Sequence, residues 1–265
     1  MMERAVPAPF ERIDSNGDRS AVTRAVAVET PIAIEFNGIG YAVMMASPHD
    51  LEDFAVGFTL SERLVEGAGD IQAIDAHEAS SGIVLRVQLR ASNAARVLDR
   101  VRHRVSDSSC GLCGIDNLDH ALRPLPRVAP SNPIGERAIF AALALLSEHQ
   151  TLNRATGAVH PAARCSADGT ILDVREDVGR HNAFDKLIGA MARSAAGWEG
   201  GFALLSSRCS YELVEKAALS ACPVLVTISA ATDLAIARAR SCGVRLVVLA
   251  RPDAILCVAG PSGAP

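Results

Sequence analysis

Phe202-Ala203-Leu204-Leu205, Pro223–Ile228 and Val244–Leu249 are three short apolar runs, separated by the amphipathic stretches Tyr211–Ala221 and Asp233–Ser241. Runs this rich in Leu, Val and Ile have no polar face to offer water, so each reads as a strand covered on both sides. Strands alternating with helices predict a mostly parallel sheet with helices packed across it, hence an α/β fold. In such sheets ligands bind beyond the carboxyl ends of the strands, where loops and helix N-termini expose N–H groups. The loops that follow the three runs are Ser206-Ser207-Arg208, Ser229-Ala230-Ala231-Thr232 and Arg251-Pro252-Asp253. Hydroxyls and a guanidinium gathered on one edge suit a phosphate-bearing ligand such as a nucleotide, although each hydroxyl could equally be a helix N-cap.

Working toward the N-terminus, Val178–Arg193 reads as a helix, and Gly157–Cys165 with Ile171–Arg175 as a hairpin around Asp168-Gly169. Glu176-Asp177-Val178-Gly179-Arg180-His181 stands at the turn into that helix. It is either a polar site or a capped helix start, with His181 and Asp185 four residues apart on one face. His160, between Val159 and Pro161, reads by itself as a half-buried structural histidine. Asn132-Pro133 opens a helix to about Ser147, and Arg123–Pro133 carries four prolines in eleven residues, a linker composition. The expected division is a flexible start over 1–20, an α+β domain over 21–130 and a second α/β domain over 131–265.

In the first half, Thr23–Glu29, Ile32–Phe36 and Gly40–Met45 read as strands, the last two joined by an Asn37-Gly38 turn. Ser47-Pro48-His49-Asp50 has the pattern of an N-cap and first turn, opening a helix to about Val65 that buries Leu51, Phe54 and Phe58. Ile71–His77 and Ile83–Leu89 form another strand pair, and Ser92–Arg104 a helix. Ser108-Ser109-Cys110-Gly111-Leu112-Cys113-Gly114 follows, then a short helix on Ile115, Leu118 and Leu122. Two thiols at this spacing can ligate a metal, cycle through a disulfide or carry a transferable sulfur. Gly111 and Gly114 free the backbone, which favours a loop presenting sulfur over a packed pair.

Composition narrows the classes. With 265 residues, 49% of them hydrophobic, the chain can build a sizeable core. A net charge of −4 opposes a general nucleic-acid binder, even though residues 96–127 hold six arginines against four aspartates. Seven scattered cysteines, an odd number, form no disulfide framework and point to a reducing compartment. The polar start has no signal-peptide core, and no apolar run is long enough to span a membrane, so the expectation is a soluble cytoplasmic protein.

CGLCG, Thr156-Gly157-Ala158-Val159-His160, EDVGRHNAFDK (Glu176–Lys186), SSRCSYELVEKAA (Ser206–Ala218) and ISAATDLA (Ile228–Ala235) occur in that order. Together with NGIGYAVMMASPHDLEDFAVGF (Asn37–Phe58), they make the chain closely resemble the FdhD family, the formate dehydrogenase accessory sulfurtransferases. The resemblance covers nearly everything after about residue 20. It implies a carrier that takes sulfur from a cysteine desulfurase. The recipient would be the bis-molybdopterin guanine dinucleotide form of the molybdenum cofactor, as formate dehydrogenase requires. It places the persulfide on Cys110, with Cys113 as the second thiol, and aligns the cofactor-binding segment with Leu249-Ala250-Arg251-Pro252-Asp253-Ala254. It further implies a cytidine deaminase-like second domain with three layers, a homodimer and no structural metal. The chain departs from relatives at Ala158 and Pro161, and at Asp253 and Ala254 where a glycine and a basic residue can stand; Arg251 keeps the positive charge.

Other chemistries fit less well. A structural zinc site needs two further ligands, and only His103 and His120, each seven residues from the nearer cysteine, are at hand. A thioredoxin-like motif would open a helix after a strand, whereas this one follows a helix. A deaminase would need H-x-E, where the chain has His160-Pro161-Ala162, and a paired cysteine for Cys209. A non-catalytic chaperone for the molybdenum cofactor is the remaining alternative.

Overall fold

The structure is a computed structural model that describes residues 3–105, 123–130 and 134–259. Cys110, Cys113, the short helix expected over 115–122 and the Asn132-Pro133 cap lie outside the described residues.

The first half contains β1 (Ala5–Ile13), β2 (Arg19–Ala27), β3 (Thr30–Phe36), β4 (Ile39–Ala46), α1 (Leu51–Ser61), β5 (Ile71–Ala79), β6 (Gly82–Leu89) and α2 (Ala94–Val105). β3 to β6 form a four-stranded sheet in the order β4-β3-β6-β5, with β3 and β6 parallel at its centre. Asn37 and Gly38, at φ 50° and 80°, supply the left-handed pair that a two-residue hairpin requires. Inward-facing Ile32, Ile34, Phe36, Leu85 and Val87 meet Phe54 and Phe58 of α1 in one core. The N-terminal stretch expected to be loose instead contains β1, paired along its length with β2.

The second half contains α3 (Glu136–His149), α4 (Thr151–Thr156), β7 (His160–Cys165), β8 (Ile171–Asp177), α5 (Arg180–Arg193), β9 (Phe202–Leu205), α6 (Tyr211–Leu219), β10 (Val224–Thr227), α7 (Asp233–Cys242), β11 (Arg245–Val248) and β12 (Leu256–Cys257). The sheet order is β12-β11-β10-β9-β7-β8. The α/β reading holds, but the sheet is mixed. β9, β10 and β11 run parallel, as their alternation with helices requires; β7 and β12 run against them, and β8, antiparallel to β7, runs the same way as β9. Each parallel strand is buried on both faces. Phe202, Leu204, Val224, Val226 and Val247 face α3, whereas Ala203, Leu205, Leu225, Leu246 and Val248 face α5, α6 and α7, giving three layers.

The halves meet through α1 and α5. α1 is buried from Asp53 to Thr59 because one face covers the four-stranded sheet and the other packs on α5. The crossing has no room for side chains at its centre. A Cβ on Gly57 would overlap the carbonyl of Asp185, and one on Gly189 would overlap that of Asp53.

Ser47-Pro48-His49-Asp50 does not cap α1 as expected. Asp50 holds the N-cap position in a left-handed conformation, φ 51°, with no side-chain capping bond. Ser47 turns instead to the second half: its N–H donates to Asp177 Oδ2 at 3.0 Å and its Oγ accepts from the Val178 N–H at 3.2 Å. Lys186 Nζ donates to the Ser47 carbonyl at 3.0 Å. The helix also ends at Ser61, short of Val65.

Candidate functional site

The topology gathers the motif residues on one edge of the six-stranded sheet. The parallel strands end there at Leu205, Thr227 and Val248. β7 starts there at His160, whose register partner is Asp177, the last residue of β8. Backbone bonds join the following loops: Cys209 N–H to the Ala230 carbonyl and Thr232 N–H to the Cys209 carbonyl, both at 3.0 Å. Leu249 N–H reaches the Ser229 carbonyl at 3.2 Å and Ala250 N–H the Thr227 carbonyl at 3.1 Å. Ser206, Ser229 and the 249–254 segment thus share one continuous surface.

Their individual roles differ. His160 Nδ1 and Ser206 Oγ are 3.1 Å apart. The carbonyl of Ser229 also accepts from Thr227 Oγ1 at 3.0 Å, which fixes the loop. Leu249 has φ 49°, a left-handed conformation that costs a side-chain-bearing residue roughly 1–2 kcal/mol. It presents its side chain 36% exposed at the edge. Ala250 is buried in the core below, so it anchors the segment and offers no side chain outward. Arg251 N–H closes a turn onto the Ala254 carbonyl at 2.8 Å, leaving Arg251, Pro252, Asp253 and Ala254 exposed.

Two further residues belong to this edge. Arg180, half-buried at the start of α5, has an Nε sealed from water with no acceptor among the described residues. Burial, and then the charge of Arg180, lower the pKa of His160, which keeps its ring neutral at pH 7. His181 does not pair with Asp185. Its Nε2 lies 3.1 Å from both Ser210 Oγ and Glu212 Oε2, and that contact holds the Glu212 carboxyl below the usual range. α5, α6 and α7 begin here after Gly179, Ser210 and Thr232, so three helix N-termini and the guanidinia of Arg180, Arg208 and Arg251 give the edge a positive bias. The loop guanidinia of Arg208 and Arg251, for which no partner is found among the described residues, fit an anionic group such as a phosphate ester.

The rest of the Glu176–Lys186 motif points inward. Asp177 and Lys186 are both fully buried, 2.6 Å apart. Asp177 Oδ1 also accepts from Gly179 N–H at 2.7 Å and Asn182 Nδ2 at 3.1 Å. Glu176 accepts from the N–H groups of Leu152 and Asn153, both at 2.8 Å, and so caps α4. Asp185 takes Lys216 at 2.7 Å and Ser61 at 2.6 Å.

The described cysteines divide sharply. Cys165, Cys209 and Cys222 are buried, and burial pushes each thiol up to about 12; Cys242 is buried and raised as well. Thiols held protonated in the core cannot act as nucleophiles. Cys257 is exposed, with Arg245 Nη2 3.8 Å from its sulfur. Among the described residues, no three His, Cys, Asp or Glu side chains are grouped to hold a metal ion, and no helix is long and apolar enough to cross a membrane.

A protein named sulfur carrier protein FdhD from Variovorax paradoxus is 43% identical over 89% of this chain and 85% of its own length. One of the same name from Agrobacterium fabrum is 41% identical over 96% of this chain and 95% of its own. A crystal structure of a protein assigned as a formate dehydrogenase accessory protein, from Desulfotalea psychrophila, matches with TM-score 0.75 over 98% of each chain at 23% identity, a likeness of fold. Residues 27–263 match the FdhD/NarQ family, and the chain belongs to it.

Proposed function

We propose that the protein is a sulfur carrier in the formate dehydrogenase context, with Cys110 as the carrying thiol. The observation that carries this reading is the fate of the other thiols: four of the five described cysteines are buried with raised pKa, which leaves Cys110, Cys113 and Cys257 to do sulfur chemistry. The relatives' shared name, sulfur carrier protein, accords with it. In the first step the Cys110 thiolate attacks the terminal sulfur of a persulfide on a cysteine desulfurase. The donor's S–S bond breaks, the donor leaves as a thiolate, and Cys110 holds the new persulfide. In the second step the S–S bond on Cys110 breaks and the terminal sulfur passes to the molybdenum atom of a reduced bis-molybdopterin guanine dinucleotide held as substrate; the molybdenum gives up the two electrons that turn that sulfur into sulfide, and Cys110 leaves as a thiolate. Attack by Cys113 on the Cys110 sulfur is the other exit: it expels hydrosulfide and leaves a Cys110–Cys113 disulfide.

The edge formed by Ser206, Ser229 and Leu249–Ala254, together with Arg180, is the surface offered to the phosphates of that substrate. A homodimer working in the cytoplasm, where thiols stay reduced, completes the proposal.

Intact-protein mass spectrometry after incubation with a desulfurase and cysteine tests it. The wild type and Cys257→Ser gain the mass of one sulfur, whereas Cys110→Ala does not. Gain by Cys110→Ala, or no gain by the wild type, would leave the cofactor-binding chaperone as the better reading.

A further inference from the structure

β1 and β2 stand apart from both larger sheets as a two-stranded ribbon, joined by nine residue pairs from Ala5–Ala27 to Ile13–Arg19. α4 packs against the ribbon, Arg4 lies 3.9 Å from Asp50, and Ala25, Val26 and Ala27 are half-buried. Further out the ribbon is exposed, Val6 and Phe10 included, although these lie opposite Val26 and Val22 on one apolar face. A lone pair of strands is marginally stable in water and leaves an unpaired edge on each side.

The two edges are not alike. Val28 N–H donates to the Arg4 carbonyl at 3.0 Å and Asp14 N–H to the Asp18 carbonyl at 2.9 Å. The pairs that exchange hydrogen bonds are therefore those of even-numbered residues, and odd-numbered residues turn their backbone groups outward. On β1 two of the outward positions are Pro7 and Pro9, which have no N–H, so this edge cannot receive another strand. On β2 they are Arg19, Ala21, Thr23, Ala25 and Ala27, each with its N–H. Ala21 and Thr23 are exposed and small, which lets a second backbone come close.

Charge indicates which strand comes. Arg24 has no ion-pair partner among the described residues, and the Asp18 carboxylate is held by Asn16 of its own turn at 2.6 Å. Antiparallel pairing of β2 with β2 of a second copy about Ala21 sets Ala21 opposite Ala21, Arg19 opposite Thr23 and Asp18 opposite Arg24. The symmetry makes the Asp18–Arg24 contact twice, which fixes register more than it adds strength. The two Val22 side chains become diagonal neighbours on one face.

We propose that two copies of the chain associate through this edge, β2 against β2 about Ala21, merging the two ribbons into one four-stranded sheet. The inference rests on the homodimer of the proposed function and assigns its interface.

Sedimentation equilibrium of the full chain and of Ala21→Pro, each over a dilution series, tests it. The Ala21 N–H points away from β1, so the substitution leaves the ribbon's own ladder in place. It removes two hydrogen bonds between copies, and the dimer should weaken at least ~10-fold. A wild type that stays monomeric overturns the homodimer and this interface together; a dimer that folded Ala21→Pro leaves equally tight overturns the interface alone. Ala21→Cys, with Cys110, Cys113 and Cys257 replaced by serine, carries the test if Ala21→Pro does not fold. Opposed residues of a hydrogen-bonded pair have Cα atoms about 5.5 Å apart, within the reach of a disulfide, so mild oxidation should yield a covalent dimer. Cross-linking no greater than that of Ile13→Cys, on the blocked edge and in the same background, overturns the proposal.

Discussion

Asp177 with Lys186 and Arg180 with His181 stand within ten residues of one another in a single charged motif, yet they do opposite things. The first pair is fully buried and bonded on nearly every lone pair and N–H, tying β8 and α5 to the Ser47 loop of the other half. The second pair stands half-exposed at the sheet edge, with one donor unfilled and the other bonded to groups that are themselves partly solvated. The difference shows that polarity in a motif does not by itself mark a site. Burial with complete bonding marks a lock; partial burial with an unfilled donor marks a place for a ligand.

Breaking the lock gives the largest effect. Asp177→Ala strands the Lys186 ammonium and the N–H groups of Ser47 and Gly179 in the core, and removing one partner of such a pair costs about 3–5 kcal/mol. Urea denaturation should show a loss of that size. A loss below about 1 kcal/mol would mean that Asp177 is no lock.

The same lock has a pH edge. His49 lies beside it, its Nε2 3.1 Å from the Glu176 carbonyl, its Nδ1 without a partner, and its pKa lowered from 6.5 to about 4 by burial and then by Lys186. Asp50 and Asp177 oppose that shift, and Arg4 adds to it. Because the folded pKa is the lower one, the unfolded chain takes up the proton first. Stability is therefore fully present well above pH 6.5 and falls as pH drops through 6.5 toward 4, by on the order of 2–3 kcal/mol across that range. His49→Asn should flatten that part of the stability profile between pH 7.5 and 4.5. Identical profiles for the two proteins would remove His49 from the account.

How much of this the sequence discloses follows from the range of the interactions. The three parallel strands, the Asn37-Gly38 turn and the helices between strands are legible because period and turn chemistry are local signals. Ser47 defeats a local reading for the same reason: its local pattern is that of an N-cap, and its true partners lie about 130 residues away. The β7–β8 hairpin is legible too, but its docking antiparallel beside β9 is not, because that depends on tertiary packing. Arg180 lies in the charged turn that the sequence already offers as a polar site. Extending the hairpin outward from Asp168-Gly169 brings His160 opposite Asp177, which puts the next residues of the motif beside the ends of the parallel strands.

The helix crossing beneath the lock gives an intermediate effect. Gly189→Ala pushes a methyl into the Asp53 carbonyl, so α1 and α5 must separate, at a cost toward the upper end of ~1–3 kcal/mol. Gly69→Ala, with open space around it, serves as the control and should cost far less. Equal losses for the two would mean that the crossing is not tight.

The smallest effect on stability belongs to the other member of the comparison, and it is the one that separates site from scaffold. Arg180→Gln removes a charge whose Nε has no acceptor, so folding should change by no more than about 0.5 kcal/mol. Losing that charge also relieves His160, whose pKa should rise toward 6.5, a shift readable by NMR titration of its ring. If the edge receives phosphate, the same variant should weaken binding of GDP about tenfold while Asp177→Asn, folded but altered in the lock, leaves it nearly unchanged. Equal weakening by both would merge the two regions into one, because binding would then depend on the frame as much as on the edge.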